Sequence, residues 1–139
     1  MSKYKIHIPK HLRAYRPKLL RWLGKFLLKV TGWKTTGHLP KDQRVVLIAG
    51  PHTSNWDFVL AMSLILSLDV NIHWVGKHSI FKKGFRRLLR KMGGIPVNRT
   101  NPEALKQEIY NITEKYKGFV IAIAPEGTRK KVARLKTGF

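Results

Sequence analysis

The hydrophobic and polar positions of this chain alternate between short apolar runs and longer segments in which apolar residues recur at helical spacing. Four runs rich in β-branched residues predict strands at 45–49, 72–75, 95–97 and 119–124. The segments between them predict helices at 57–68, at 79–92 and from 102 up to Gly118. This repeated strand–helix–strand order predicts an α/β fold, a mostly parallel sheet flanked by helices, with all four strands ending at one edge.

Residues that favour helix starts support these boundaries. We expect Asp57, Ser79 and Asn101 to cap the three helices, with Pro102 at the first helical position of the last one. The first helix is apolar nearly all round, so we expect it to be buried. The second is expected to bury one stripe, formed by Phe81, Phe85, Leu88 and Met92. The third is expected to bury Leu105, Ile109, Ile112 and Tyr116.

A basic amphipathic helix is predicted before the sheet begins. After Pro17, apolar residues recur at helical spacing up to Val30, and Trp22 and Trp33 flank the segment. The opposite face carries four cations, Lys18, Arg21, Lys25 and Lys29. This pattern is typical of a helix in a membrane interface, although an amphipathic helix that covers the sheet has a similar one. We predict a membrane-interface segment at 1–36 and an α/β domain at 37–139.

The charge of the chain favours anionic partners. Its 28 Lys and Arg residues against 7 Asp and Glu residues give a formal net charge of +21. Nucleic acid, anionic lipid, coenzyme A and an acidic carrier protein would each relieve the resulting repulsion, and charge alone does not choose among them. The chain has no cysteine, which excludes disulfides and thiol nucleophiles. It also lacks a transmembrane-length apolar segment and a secretory signal pattern.

A candidate general base follows the first predicted strand, which we expect to be buried. The string PHTSNWDF contains His52 and Asp57. With His52 in the loop and Asp57 on the first turn of the next helix, the carboxylate can accept the Nδ1 proton and leave Nε2 as a base. The alternative is a capping Asp beside a solvated His. The position favours the base, because ligands bind at the carboxyl ends of strands in open α/β sheets.

A candidate anion-binding loop follows the last predicted strand, in the sequence Glu126-Gly127-Thr128-Arg129. Gly127 lets the backbone approach a ligand closely, and Arg129 offers a planar fork suited to phosphate oxygens. Thr128 adds a hydroxyl, and Glu126 can orient a neighbouring cation. The alternative is an exposed turn with a charged pair.

Two further cations follow the middle strands. Arg99 ends the string GGIPVNR after the third strand, and Lys77 follows the second. Each alone is expected to be a surface cation. Their shared location after successive strands predicts additional phosphate ligands.

Together these motifs resemble those of the glycerolipid acyltransferases, the family that includes 1-acylglycerol-3-phosphate acyltransferase. The family's first motif is similar to the HX4D pair at 52 and 57, its second to GIPVNR at 94–99, and its third to PEGTR at 125–129. The resemblance covers about 45–139. It implies that His52 is the catalytic base and that Asp57 orients it. It also implies that Arg99 and the EGTR residues 126–129 bind the glycerol phosphate of the acceptor, with Lys77 nearby.

The resemblance further implies an O-acyltransferase of phospholipid biosynthesis. Such an enzyme moves a fatty acyl group from acyl-CoA or acyl carrier protein to the free hydroxyl of a lysophospholipid, above all 1-acylglycerol-3-phosphate. No metal or other cofactor is expected.

The expected partner is an anionic membrane surface, not nucleic acid, with the protein peripheral on the cytoplasmic face of the cell membrane. The alternatives are a non-catalytic anion-binding module, for membrane or nucleic acid, and an inactive acyltransferase remnant. Because the family continues past its third motif, we also expect this chain to be truncated at its C-terminus.

Overall fold

The computed structural model describes residues 6–50, 55–98 and 100–124. The elements in chain order are α1 (Lys18–Val30), β1 (Arg44–Ile48), α2 (Asn55–Leu68), β2 (Ile72–Lys77), α3 (Arg86–Lys91), β3 (Gly94–Val97), α4 (Pro102–Lys115) and β4 (Phe119–Ile123). Two short 3₁₀ turns lie at Lys10–Leu12 and His78–Ile80. The predicted α/β architecture is confirmed.

The four strands form one parallel sheet in the spatial order β1-β4-β2-β3. Arg44 of β1 pairs with Phe119 of β4, and Trp74 of β2 pairs with Ala122 of β4 on one side and Gly94 of β3 on the other. Parallel pairing brings all four carboxyl ends to the same edge, as the sequence predicts. The last described strand, β4, therefore lies inside the sheet, and β1 and β3 are the outer strands of the described sheet.

Helices cover the two faces of the sheet with separate hydrophobic clusters. The cluster on the α2 face includes Ile65, Val70, Ile72, Trp74, Phe81, Leu89, Val120 and Ala122. The cluster on the α4 face includes Ile95, Ile112, Phe119 and Ile121, with Leu105, Ile109 and Tyr116 partly buried beside it. Strand side chains alternate between the faces, which explains why Val120 and Ile121 belong to different clusters. The predicted core face of α4 is confirmed, and so is its cap, because Asn101 Oδ1 accepts from Ala104 N at 3.3 Å.

α1 forms an outer layer that packs against α2. The contact is closest at Gly24, where an added Cβ would lie 2.6 Å from Ser63 O and 2.7 Å from Ser67 N. At about 100° per residue, Ser63 and Ser67 lie roughly opposite the α2 side chains that face the sheet, such as Ile65. α2 therefore lies between α1 and the sheet.

The apolar side of α1 does not cover the sheet. Gly24 and Leu28 are buried against α2, whereas Leu19, Phe26 and Val30 are exposed. Arg21 is half-buried, so three of the four predicted cations remain on the exposed side. No helix within the described ranges is long and apolar enough to cross a bilayer.

The prediction that β1 is a buried strand is wrong. Val46 is 66 % exposed and Ile48 is 68 % exposed, although both point to the α4 face of the sheet beside Ile121 and Ile123. The reason is the strand order, which places β1 at an edge, while α4 packs against the opposite part of that face through β3. β4 is buried as expected.

The predicted helix at 79–92 is also wrong in its extent. A 3₁₀ turn occupies His78–Ile80, and α3 covers only Arg86–Lys91. Gly84 lies between them with φ 95°, a left-handed conformation that a continuous α-helix cannot contain. The break shifts the buried positions, so Phe81 and Leu89 are in the core whereas Phe85 is 66 % exposed and Leu88 is 52 % exposed. Ser79 caps no long helix.

Candidate functional site

The predicted site residues follow the carboxyl ends of the four described strands, and these ends lie along one edge of the sheet. Ile48 at the end of β1 pairs with Ile123 at the end of β4. The strands that lead to His52 and to residues 126–129 therefore end side by side. Lys77 at the end of β2 pairs with Val97 at the end of β3, and β2 also pairs with β4. With neighbouring strands about 4.8 Å apart, the four ends span about 15 Å.

Asp57 lies at this edge on the first turn of α2. The helix begins at Asn55, so the predicted first-turn position of Asp57 is confirmed, whereas its predicted role as N-cap is wrong. Its side chain is half-buried. The unpaired backbone N–H groups of a helix N-terminus favour a carboxylate at this position. His52 lies outside the described residues, so its hydrogen bond to Asp57 stays a prediction.

The predicted phosphate ligands follow strands that end at the same edge. Lys77 is the last residue of β2 and is exposed. Arg99, Glu126, Gly127, Thr128 and Arg129 lie outside the described residues, and their roles stay predictions. The strands that precede them, β3 and β4, end at the edge where β1 also ends.

The strand that leads to Arg99 is anchored tightly on β2. Trp74 N donates to Gly93 O at 2.9 Å, and Trp74 Nε1 donates to Met92 O at 3.1 Å. Gly93 has φ 87°, and a Cβ there would collide with the carbonyl oxygen of Ile72. The Gly93-Gly94 pair is thus required by close backbone contacts, and it sets the start of β3, the strand that ends at Val97.

A cavity of about 360 Å³ with several polar lining residues opens next to the ends of β2 and β3. His78, Arg90, Asn98 and Asn101 contribute to its lining. Arg90 is held there by an ion pair with Glu108, at 2.8 Å. His78 and Asn98 are not among the site residues predicted from the sequence. Each directly follows a strand, which is the position from which a ligand-binding role could have been predicted.

A larger cavity of about 460 Å³ lies at the opposite edge and is not a candidate for the same chemistry. Three histidines contribute to its lining, His7, His11 and His38. They do not form a metal site, because the described part of the chain holds no cluster of three or more His, Cys, Asp or Glu side chains that could bind one. This cavity lies near the amino ends of β1 and β4, whereas the predicted base follows the carboxyl end of β1. The larger cavity is therefore at the wrong edge of the sheet for the predicted site.

The half-buried histidine of the sheet, His73, also lies away from the candidate site. It pairs with Ile121 in mid-sheet, and its ring contacts those of Tyr116 and Phe119. Burial lowers the pKa of His73, and the nearby cations Lys115 and Arg16 lower it further. These surroundings disfavour the protonated form of this histidine.

A parallel sheet with helices on both faces, and with Asp57 and Lys77 at the carboxyl ends of its strands, is an open α/β domain, a class that binds ligands at that edge. Comparison with known families narrows this class: the family model described as Acyltransferase matches residues 32–139. The chain belongs to the Acyltransferase family, and its general role is acyl transfer. The resemblance seen in the motifs is thereby confirmed at the level of the family. No curated protein and no solved structure matched the chain.

Proposed function

We propose that the protein transfers a fatty acyl group from a thioester to the free hydroxyl of a lysophospholipid, in phospholipid synthesis. The observation that carries this proposal is the shared edge: the strands before the HX4D and EGTR motifs end next to each other, at Ile48 and Ile123. Family membership supplies the reaction class, acyl transfer. The excess of cations supports an anionic acceptor such as 1-acylglycerol-3-phosphate.

His52 is assigned the role of general base. Its Nε2 takes the proton from the acceptor hydroxyl as the oxygen attacks the thioester carbonyl carbon. The tetrahedral intermediate then collapses, the carbon–sulfur bond breaks, and the thiolate leaves with the proton returned by the imidazolium. Asp57, on the first turn of α2, is the residue that fixes the tautomer of His52. Backbone N–H groups at the sheet edge stabilise the oxyanion.

The basic residues at the edge are assigned to the phosphate of the acceptor. Arg99 and Arg129 supply planar forks for phosphate oxygens, and Lys77 supplies a point charge. Glu126 orients a neighbouring cation, while Gly127 and Thr128 bring backbone and hydroxyl donors close. The donor is acyl-CoA or acyl carrier protein, and the reaction as proposed requires no metal or other cofactor.

The exposed side of α1 is assigned to an anionic membrane surface, which supports a peripheral location on the cytoplasmic face of the cell membrane. Leu19 is 72 % exposed, and Phe26 and Val30 are exposed beside it. Lys18, Lys25 and Lys29 are exposed along an adjacent strip of the helix. An apolar strip beside a basic one matches the acyl chains and headgroups of an interface.

The test is acyl transfer measured by mass spectrometry on a panel of lysolipids, with both thioester donors. His52→Ala lowers turnover at least about 100-fold, the usual contribution of a general base, without loss of helix content. His38→Ala, an exposed histidine at the opposite edge, is the matched control and leaves turnover unchanged. Retained turnover in His52→Ala would exclude the base assignment.

The phosphate role is tested separately with Arg129→Ala. When acceptor binding equilibrates before chemistry, this change raises the acceptor KM for phosphate-bearing lysolipids more than for neutral ones. An unchanged KM contradicts the role. Absence of product with every acceptor, together with tight binding to duplex DNA at about 0.15 M salt, would instead favour a nucleic-acid-binding module.

A further inference from the structure

A second apolar and basic surface lies on the segment between β2 and β3. Phe85 and Leu88 are 66 % and 52 % exposed, and Ile80 is partly exposed next to them in sequence. Phe85 and Leu88 are the residues displaced from the predicted core stripe by the helix break at Gly84. We call residues 80–91 the crossover surface.

The crossover surface is strongly and uniformly basic. Residues 77–91 contain no acidic side chain, and they contain seven cations: Lys77, Lys82, Lys83, Arg86, Arg87, Arg90 and Lys91. All seven are exposed. Arg90 is paired with Glu108 of α4, so one acidic side chain compensates part of this charge. Exposed aromatic and aliphatic side chains surrounded by cations match a partner with an anionic surface and an apolar interior, such as a lipid bilayer.

The crossover surface and α1 lie on the same side of the sheet. Phe81 and Leu89 anchor the crossover segment in the cluster that also contains Ile65 of α2. α1 packs on the outer side of that same α2, at Gly24. Both surfaces therefore lie on the side of the sheet opposite α4.

We propose that the crossover surface is a second membrane contact, which docks on anionic lipid together with α1 and holds the carboxyl edge of the sheet at the bilayer. Phe85 and Leu88 enter the headgroup–acyl boundary, and the surrounding cations bind lipid phosphates. This inference rests on the proposed function in one respect: a lipid acceptor has to reach that edge. The crossover surface begins three residues after Lys77, the last residue of β2, which places the contact beside the candidate site.

The bilayer is favoured over an acidic carrier protein by the arrangement of apolar side chains. Two separate surfaces, α1 and 80–91, combine exposed apolar residues with cations on one side of the sheet. A small carrier domain would contact one such surface near the site and leave the apolar side of α1 in water.

Vesicle binding of the full chain tests the proposal without relying on activity. The vesicles contain about one-third phosphatidylglycerol in phosphatidylcholine, at about 0.1 M salt, where surface charges interact over about 10 Å. Phe85→Ser/Leu88→Ser weakens partitioning about tenfold or more, because two inserted side chains lose their apolar environment. Both positions are exposed, so circular dichroism is expected to show an unchanged fold.

A second double variant tests the basic part of the surface. Each cation near an anionic bilayer contributes about a fivefold effect, so Arg86→Gln/Arg87→Gln weakens binding about 25-fold. The effect disappears on pure phosphatidylcholine vesicles.

Matched controls lie on the other side or at the other edge of the molecule. Tyr110→Ser removes a side chain that is 58 % exposed on α4, and it changes vesicle binding less than about twofold. Lys41→Gln/Lys117→Gln removes two exposed cations near the amino ends of the strands, and it weakens binding by less than the Arg86/Arg87 change.

The outcomes separate this inference from the proposed function. Unchanged vesicle binding in both crossover variants overturns the inference. Unchanged vesicle binding with a raised KM for carrier-linked donors alone replaces it with a carrier-protein site. Weakened binding in a protein that transfers no acyl group supports the membrane contact and contradicts the proposed function. Weakened binding with reduced transfer to vesicle-borne lysolipid, and normal transfer to a short-chain soluble lysolipid, supports both.

Discussion

Replacing Gly93 by alanine isolates the backbone contact that holds β3 against β2. The chain provides a matched control, because Gly84 has a similar left-handed conformation, with φ 95° against 87° for Gly93. An added Cβ meets nothing within 4 Å at Gly84. At Gly93 the same atom collides with the carbonyl oxygen of Ile72, at the start of β2. The two substitutions share the penalty of a positive φ, and only Gly93→Ala adds the collision.

The magnitudes follow from these two costs. A left-handed alanine costs about 1–2 kcal/mol, and the reduced freedom of the unfolded chain offsets about 0.4–1 kcal/mol of this. Gly84→Ala therefore lowers the free energy of unfolding by about 1 kcal/mol. Gly93→Ala adds about 1–3 kcal/mol of overpacking, because the obstructing atom belongs to the backbone of a paired strand. We expect a total loss of about 3 kcal/mol.

Urea unfolding followed by circular dichroism measures both losses in one experiment. The midpoint falls further for Gly93→Ala than for Gly84→Ala, while the slope with denaturant stays the same for both. Because Trp74 donates to Gly93 O and to Met92 O, displacement of this segment also predicts a change in tryptophan fluorescence in Gly93→Ala alone. Losses that agree within about 0.5 kcal/mol would refute the assigned backbone contact.

Three further changes test other parts of the fold. Burial and the nearby Lys115 lower the pKa of His73 in the folded protein, so the unfolded chain binds the proton first and stability is lost as the pH falls below about 6.5. In His73→Gln the melting temperature is expected to depend less on pH between about pH 7.5 and about pH 5.5, and an unchanged pH dependence contradicts this. Gly24→Leu separates α1 from α2, because even an added Cβ would lie 2.6 Å from Ser63 O. We expect α1 to become accessible to proteases while the sheet stays folded, and equal protease resistance would count against the close packing. Asn101→Ala removes the cap of α4 and costs about 1 kcal/mol by thermal unfolding, whereas no loss would show that the hydrogen bond contributes nothing.

The parts of the fold that depend on local pattern could be predicted from the sequence. The cap and core face of α4 follow from Asn101-Pro102 and a regular apolar repeat, and both are found. The parallel sheet follows from the alternation of strands and helices, since a chain that crosses back through a helix returns in the same direction. The convergence of strand ends at one edge is a consequence of that pairing, so the place of the candidate site could also be predicted.

Features that depend on the order of strands could not be predicted. Nothing local to residues 44–48 indicates that β4 separates this strand from β2 and leaves Val46 and Ile48 exposed. The break in the second helix depends on one glycine adopting a left-handed conformation, which shifts burial from Leu88 to Leu89. The contact between His52 and Asp57 depends on loop geometry, for which residue spacing is an insufficient guide.

The central position of β4 determines when during synthesis the sheet can form. β1 pairs with β4 along its whole length, so Arg44 cannot pair until Phe119, a partner far along the chain, has been synthesised. β2 and β3 pair earlier as a local unit. Contacts at such sequence separation are slow to form, and until they do the strand before His52 is an open edge that a second nascent chain can join. Substitutions at 119–123 should therefore lower the yield of soluble protein, and increase its dependence on co-expressed chaperones, more than substitutions at equally buried positions in α4.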